Sequence, residues 1–106
     1  MVVKQNDGYI KLKYRDILSL RWEQGYTVIR LLSGKELLED QSLKEIETCL
    51  PEYFCRINKK YILNLYHKQS VRHKNGEMIV VMQYDDELYT VARRRMRDFK
   101  NKWCGL

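Results

Sequence analysis

The 106-residue sequence contains one proline, Pro51, and only five glycines. No Pro-, Ser- or Gly-rich linker and no internal repeat interrupts it, so a single domain over residues 1–106 is expected. No apolar run approaches the ~20 residues that a helical membrane span needs. The N-terminal MVVKQNDGY offers no apolar stretch for a signal peptide. A cytoplasmic chain without membrane contact is the expectation. Cysteine is scarce: Cys49, Cys55 and Cys104 cannot all pair with one another, and their spacing suits neither a redox motif nor zinc. Free, mostly buried thiols in a reducing compartment are expected. A glycine-rich phosphate loop, a nucleophile elbow and metal-ligand spacing are all missing. With them go the grounds for an enzyme, a metal or a cofactor. His67 and His73 have no ligand-spaced Cys or carboxylate and are read as surface histidines.

Tyrosine and positive charge are plentiful instead. Eight tyrosines and a hydrophobic fraction of 44% argue against disorder and for a real core. Twenty Lys and Arg against fourteen Asp and Glu give a net charge of +6. The charge is segregated. Residues 53–76 hold six Lys/Arg and no acid, residues 93–102 hold six Lys/Arg and one acid, and residues 36–52 hold six acids and one lysine. Basic clusters of this kind favour an anionic partner, nucleic acid foremost.

Hydrophobic periodicity predicts a mainly-β chain. Residues 9–14 alternate, with Ile10, Leu12 and Tyr14 on one face; residues 17–22 follow, with Leu18, Leu20 and Trp22 on one face. Glu23-Gln24-Gly25 reads as a hairpin loop into a strand at 26–32, then a short one at 35–38. Ser42 and Glu45 form a capping box for a helix at 43–50, stopped by Pro51. That acidic helix is expected to face away from any phosphate. Short strands follow at 54–57, 62–65 and 67–72, with a turn at Lys74-Asn75-Gly76. A hairpin is expected over 77–91 across Asp85-Asp86, and Met96, Phe99 and Trp103 share one face of a terminal helix. Eight or more strands and at most two helices result. Asn64, inside an apolar run, is expected to hydrogen-bond structurally, while the surroundings of Tyr9, Tyr53, Tyr66 and Tyr84 read as core.

Two constellations carry chemistry. In YFCRINKKYILNL, Asn58, Lys59 and Lys60 sit in a loop between two apolar strands; in TVARRRMRDF, Arg93, Arg94 and Arg95 follow directly on a strand. Loops projected from a rigid sheet place ammonium and guanidinium groups against phosphates and base edges. The flat donor fork of Arg suits phosphate or the O6/N7 edge of guanine. A small β-domain that binds RNA or single strands, and a protein-interaction module that uses the acidic helix, are the alternatives that these residues leave open.

The order YFCRINKKYILNL, a basic hairpin and then LYTVARRRMRDF resembles the LytTR family of bacterial DNA-binding domains. That family shows Phe-x-Arg-x-His-x-Ser-aromatic-aliphatic-x-Asn, matched here by Phe54, Arg56, Tyr61, Ile62 and Asn64. Its later aliphatic-Ser-Arg-Arg segment is matched by Val91, Arg93 and Arg94. Asn58 stands in place of His, Lys60 in place of Ser and Ala92 in place of Ser. The resemblance implies a mainly-β fold of about ten short strands in small stacked sheets with one or two short helices. It implies loops that enter the major groove of double-stranded DNA, with base-reading groups near Gly25, on Lys59 and on Arg93. Gly25 has no side chain, so Gln24 or Tyr26 would act in the first loop. Family members commonly end a response regulator in a phosphorelay and bind promoter repeats as pairs. The implied partners are therefore duplex DNA, a second copy, and a receiver domain or sensor kinase upstream.

Overall fold

The period-two segments become strands. In the computed structural model, which describes residues 1–104, β1 (Val2–Gln5) and β2 (Gly8–Lys11) form a two-stranded ribbon. A five-stranded antiparallel sheet follows from β3 (Ile17–Glu23), β4 (Tyr26–Leu31), β5 (Glu36–Glu39), β6 (Phe54–Arg56) and β7 (Tyr61–Asn64), ordered β5-β4-β3-β7-β6. A three-stranded sheet, β10-β9-β8, is built from β8 (Lys68–Lys74), β9 (Glu77–Met82) and β10 (Leu88–Val91). Two helices, α1 (Leu43–Glu47) and α2 (Met96–Cys104), complete the fold. Ten strands in three small sheets agree with the sequence reading.

The larger sheet separates two cores. Phe54 and Ile62 point to one, with Ile29, Leu43 and Ile46; Cys55 and Leu63, their neighbours along β6 and β7, point to the other, with Val80, Tyr89 and Phe99. Burying one such side chain fully contributes roughly 1.5–3 kcal/mol. The expected face of β3 is corrected here. Leu18 and Leu20 enter different cores, because a register irregularity between Ile17 and Ser19 re-aims the strand. Trp22, at the strand's far end, is partly exposed.

Several boundaries differ from expectation, each for a local reason. The capping box is present: Ser42 Oγ accepts from Glu45 N, and the Glu45 carboxylate accepts from Ser42 N. The helix nevertheless ends at Glu47, since the Cys49 and Leu50 amides bond three residues back as the chain approaches Pro51. The strand expected over 9–14 stops at Lys11, and Tyr14–Asp16 forms a tight 3₁₀ turn. A second such turn, Leu65–His67, precedes β8.

Burial revises other expectations. His67 is buried, and its Nε2–H donates to the Arg15 carbonyl at 2.6 Å. Asp85 is no simple turn residue, for β9 and β10 are joined by residues 83–87. Its buried carboxylate accepts from the Tyr89 hydroxyl and from Glu87 N at 2.9 Å, and lies 3.5 Å from Arg30 Nη1. The Asp85 carboxylate and burial together hold the Tyr89 hydroxyl well above its usual pKa, burial weighing more. Only Cys55 is a buried thiol, pushed up to about 12 chiefly by burial; Cys49 and Cys104 are exposed. Tyr9, Tyr66 and Tyr84 are exposed rather than core residues.

Asn64 does what its place in an apolar run implied. Fully buried, it donates to the Tyr14 carbonyl at 3.2 Å and the Ile17 carbonyl at 2.8 Å, and accepts from Tyr66 N at 3.0 Å. Two backbone segments, residues 14–17 and Tyr66, therefore hang on one amide. Asn64→Ala takes this partner from the Ile17 carbonyl and the Tyr66 amide, while the Tyr14 carbonyl keeps the Ile17 amide, and is expected to destabilise the domain by about 2–4 kcal/mol. Urea unfolding checks this, and a loss below about 1 kcal/mol would show that water replaces the side chain.

Candidate nucleic-acid interface

Three chain segments converge at one end of the larger sheet. The first is the two-residue β3–β4 turn, where Gln24 (φ 49°) and Gly25 (φ 84°) both take the left-handed conformation that such hairpins require. Tyr26 flanks it, exposed. Just behind, the Arg21 guanidinium lies between Glu36, at 2.6 Å, and Glu23, at 2.7 Å. That hydrogen bond from Arg21 holds the Glu36 carboxyl below its usual range. The first turn is thus backed by a neutralised cation.

The second segment is the β6–β7 loop. Asn58 shapes it by accepting from the amides of Lys60 at 2.8 Å and Tyr61 at 2.9 Å through Oδ1. Its Nδ2 donates to the Thr90 carbonyl of β10 at 2.8 Å. Arg56 closes the same loop from behind, donating to the carbonyls of Asn58 at 3.2 Å and Lys59 at 3.1 Å. Lys59 and Lys60 are left exposed, the ammonium of Lys60 standing 5.6 Å from the Tyr61 ring centroid. Tyr61 donates to Glu87 at 2.8 Å, and burial with that bond pushes its hydroxyl up to about 12.

The third segment leaves β10. The Ala92 amide donates to the Ile57 carbonyl at 2.7 Å, and Arg93–Arg95 then form one 3₁₀ turn leading into α2. Arg93 and Arg94 project into solvent. Arg95 turns inward: its Nη1 lies 4.0 Å from Glu47, its Nε is buried with no hydrogen-bond partner among the described residues, and Arg56 Nη1 lies 4.0 Å from the same carboxylate. The last residue of the acidic helix therefore faces the basic cluster instead of turning away from it.

The structure brings Asn58, Lys59 and Lys60 together with Arg93 and Arg94 around one open cavity of about 660 Å³, lined also by Tyr61 and Ala92. Gln24, Gly25 and Tyr26 stand alongside, tied in by the Trp22 amide donating to the Lys60 carbonyl at 2.8 Å. Of the residues singled out from sequence, Asn58 and Arg95 have inward roles and the exposed cations are free to engage a ligand. The reading missed Arg56 as the clamp on the loop, although the Arg-x-Asn spacing is local and visible. The turn expected at Lys74-Asn75-Gly76 is the β8–β9 hairpin tip, with positive φ at Asn75 and Gly76, but the sequence did not place it beside the site. Because Met78 pairs with Val91, this tip and its Lys74 extend past the strand end from which Arg93 departs. Among the described residues, no cluster of His, Cys, Asp and Glu is placed to hold a metal, and no helix is long and apolar enough to cross a membrane.

Comparisons with known proteins bear on the family and the fold. A family model described as the LytTr DNA-binding domain matches residues 7–103. A solved LytTr DNA-binding domain of a response regulator from Bacillus cereus superposes with a TM-score of 0.81 at 20% identity, covering 96% of this chain and 94% of that one. No curated protein matches in sequence.

The loop geometry makes Asn58 a local support. Asn58→Ala is expected to raise hydrogen exchange at the Lys60 and Tyr61 amides by about tenfold or more, since one lost hydrogen bond of this kind is worth about 1–1.5 kcal/mol. Ile62 and Leu63, deeper in β7, should keep their protection. Unchanged exchange at Lys60 and Tyr61 would mean that the Arg56 clamp alone holds the loop.

Proposed function

The chain belongs to the LytTR family of DNA-binding domains, and from that premise we propose that it is the sequence-reading part of a bacterial transcriptional regulator of the response-regulator type. Its loops would enter the major groove of duplex DNA. Lys59 and Arg93 are the base-reading groups; Lys60 and Arg94 grip phosphates; Gln24, in the first turn, or Tyr26, flanking it, acts there, with Gly25 allowing its conformation. Arg95 acts indirectly, as a strut against Glu47. The observation that carries this reading is the stapling of two basic loops by Ala92 to Ile57 and by Asn58 to Thr90. Donors held on a rigid frame meet base edges with little ordering cost. A second copy on a repeated site, and a receiver domain or sensor kinase upstream in a cytoplasmic phosphorelay, complete the proposal.

Binding to RNA or single strands needs aromatic faces beside the basic groups. Tyr66 and Tyr84 are 68% and 67% exposed, but Tyr66 follows the Asn64 end of β7, whereas Lys59 and Lys60 precede its Tyr61 end. Tyr66 is therefore apart from the cations, Trp22 and Tyr26 are the exposed rings near them, and it is the family's match to a DNA-binding domain that favours the duplex. A gel shift with duplex, single-stranded and RNA competitors separates these ligands; only duplex should compete.

Two further outcomes follow from the assignment. Arg93→Ala should lower affinity for the selected duplex about tenfold or more and leave random duplex nearly unchanged, since a base contact is worth roughly 1–3 kcal/mol of discrimination. Lys60→Ala should weaken both alike. Equal losses for Arg93→Ala on both duplexes would make Arg93 a phosphate contact. In a salt titration, about six phosphate contacts give a slope of log K against log salt near −5, at about −0.9 per contact. A slope shallower than about −2 would contradict groove binding.

A further inference from the structure

The slot between the Lys59 loop and the Arg93 turn offers donors and withholds acceptors. Lys and Arg side chains donate only, and most backbone oxygens around the slot already accept a hydrogen bond. The carbonyls of Asn58 and Lys59 accept from Arg56, that of Lys60 from the Trp22 amide, and that of Tyr61 from the Ile57 amide. The carbonyl of Ala92 accepts from the Arg95 amide and that of Arg93 from the Met96 amide. Asn58 Oδ1 already holds two amides. The nearby Glu87 carboxylate accepts the Tyr61 hydroxyl and lies outside the slot lining. The lining, which includes Ala92 and Tyr61, is mostly apolar.

In the major groove each base pair shows a different edge. Adenine and cytosine present amino groups that need an acceptor; guanine presents two acceptors and no methyl; thymine presents one acceptor, O4, beside a C5-methyl. We infer that this slot is a thymine subsite, in which O4 accepts from Lys59 or Arg93 and the methyl rests on Ala92 and Tyr61. The inference builds on the duplex-reading function proposed above and adds the base that the slot selects. The amino-bearing bases are disfavoured because the four cations that line the slot cannot accept from their hydrogens. Guanine is disfavoured more weakly, because it leaves the apolar lining facing water. Ala92 gives the methyl its contact, and a serine there would place a hydroxyl in the same space.

Deoxyuridine tests this without altering the protein, since it differs from deoxythymidine only by that methyl. The wild-type domain is first used to select its site from random duplexes, and each thymine in the site is then replaced in turn. At one position deoxyuridine should weaken binding about fourfold, the worth of one buried methyl group, and adenine or cytosine about tenfold. Ala92→Ser should still bind the site but lose the preference for thymine over deoxyuridine. If no replacement changes wild-type affinity while Arg93→Ala still abolishes specific binding, the subsite is wrong and the duplex reading stands. If no site can be selected at all, the duplex reading fails and the subsite with it. Should Ala92→Ser not fold, the wild-type comparison decides alone.

Discussion

The amide of Ala92 and the side chain of Asn58 reach across between two sheets that the chain builds separately. One bond runs from Ala92 to Ile57, the other from Asn58 to Thr90. Each joins residues more than thirty positions apart, and together they fix where the Arg93 turn begins relative to the Lys59 loop. Without them, two flexible basic segments would each lose backbone and side-chain entropy on meeting DNA. With them, that entropy is lost on folding, and the core offsets it. The larger sheet makes this arrangement possible, because its two faces support separate cores and its edge strand β6 delivers the loop beside β10.

The same end of the molecule shows how charge is managed. Of the three consecutive arginines, two project and one turns back to Glu47, which also lies beside Arg56. Arg56 in turn holds the carbonyls of the lysine loop. A carboxylate from the acidic helix thus steadies the arginines that do not face solvent, while Arg21 is neutralised by Glu23 and Glu36 beneath the first turn. Lys59, Lys60, Arg93 and Arg94, the exposed cations that line the slot, are those that the proposed mechanism assigns to DNA.

How much of this the sequence shows depends on the range of each interaction. The capping box of Ser42 and Glu45 spans three residues and is readable in full, as is a hairpin turn with positive φ at Gly25, although Glu23 ends the strand instead of joining the turn and Gln24 also takes positive φ. Strand periods gave the fold class, and the order of motifs placed all three loops. What escaped was decided by distant neighbours. The register irregularity in β3 sends Leu18 and Leu20 to different cores, and no local pattern reveals it. His67 is buried because the Arg15 carbonyl lies 2.6 Å from its ring, and Asp85 because Tyr89 and Arg30 converge on it. Two of Asn58's bonds are local, yet the one to Thr90, which turns a loop residue into a staple, joins two sheets. Arg95 reads as one of three equal arginines until Glu47 is placed opposite it.

That the two stapled loops act as a single reading head is the central claim, and a double-mutant cycle of Lys59→Ala and Arg93→Ala on the selected duplex tests it most directly. Independent contacts add within about 0.3–0.5 kcal/mol, whereas groups that share one site couple more strongly. If the head docks as a unit, removing either cation already forfeits most of the specific binding. The double variant should then lose at least about 1 kcal/mol less than the sum of the single losses. Losses that simply add would show two loops binding DNA independently and would contradict the account.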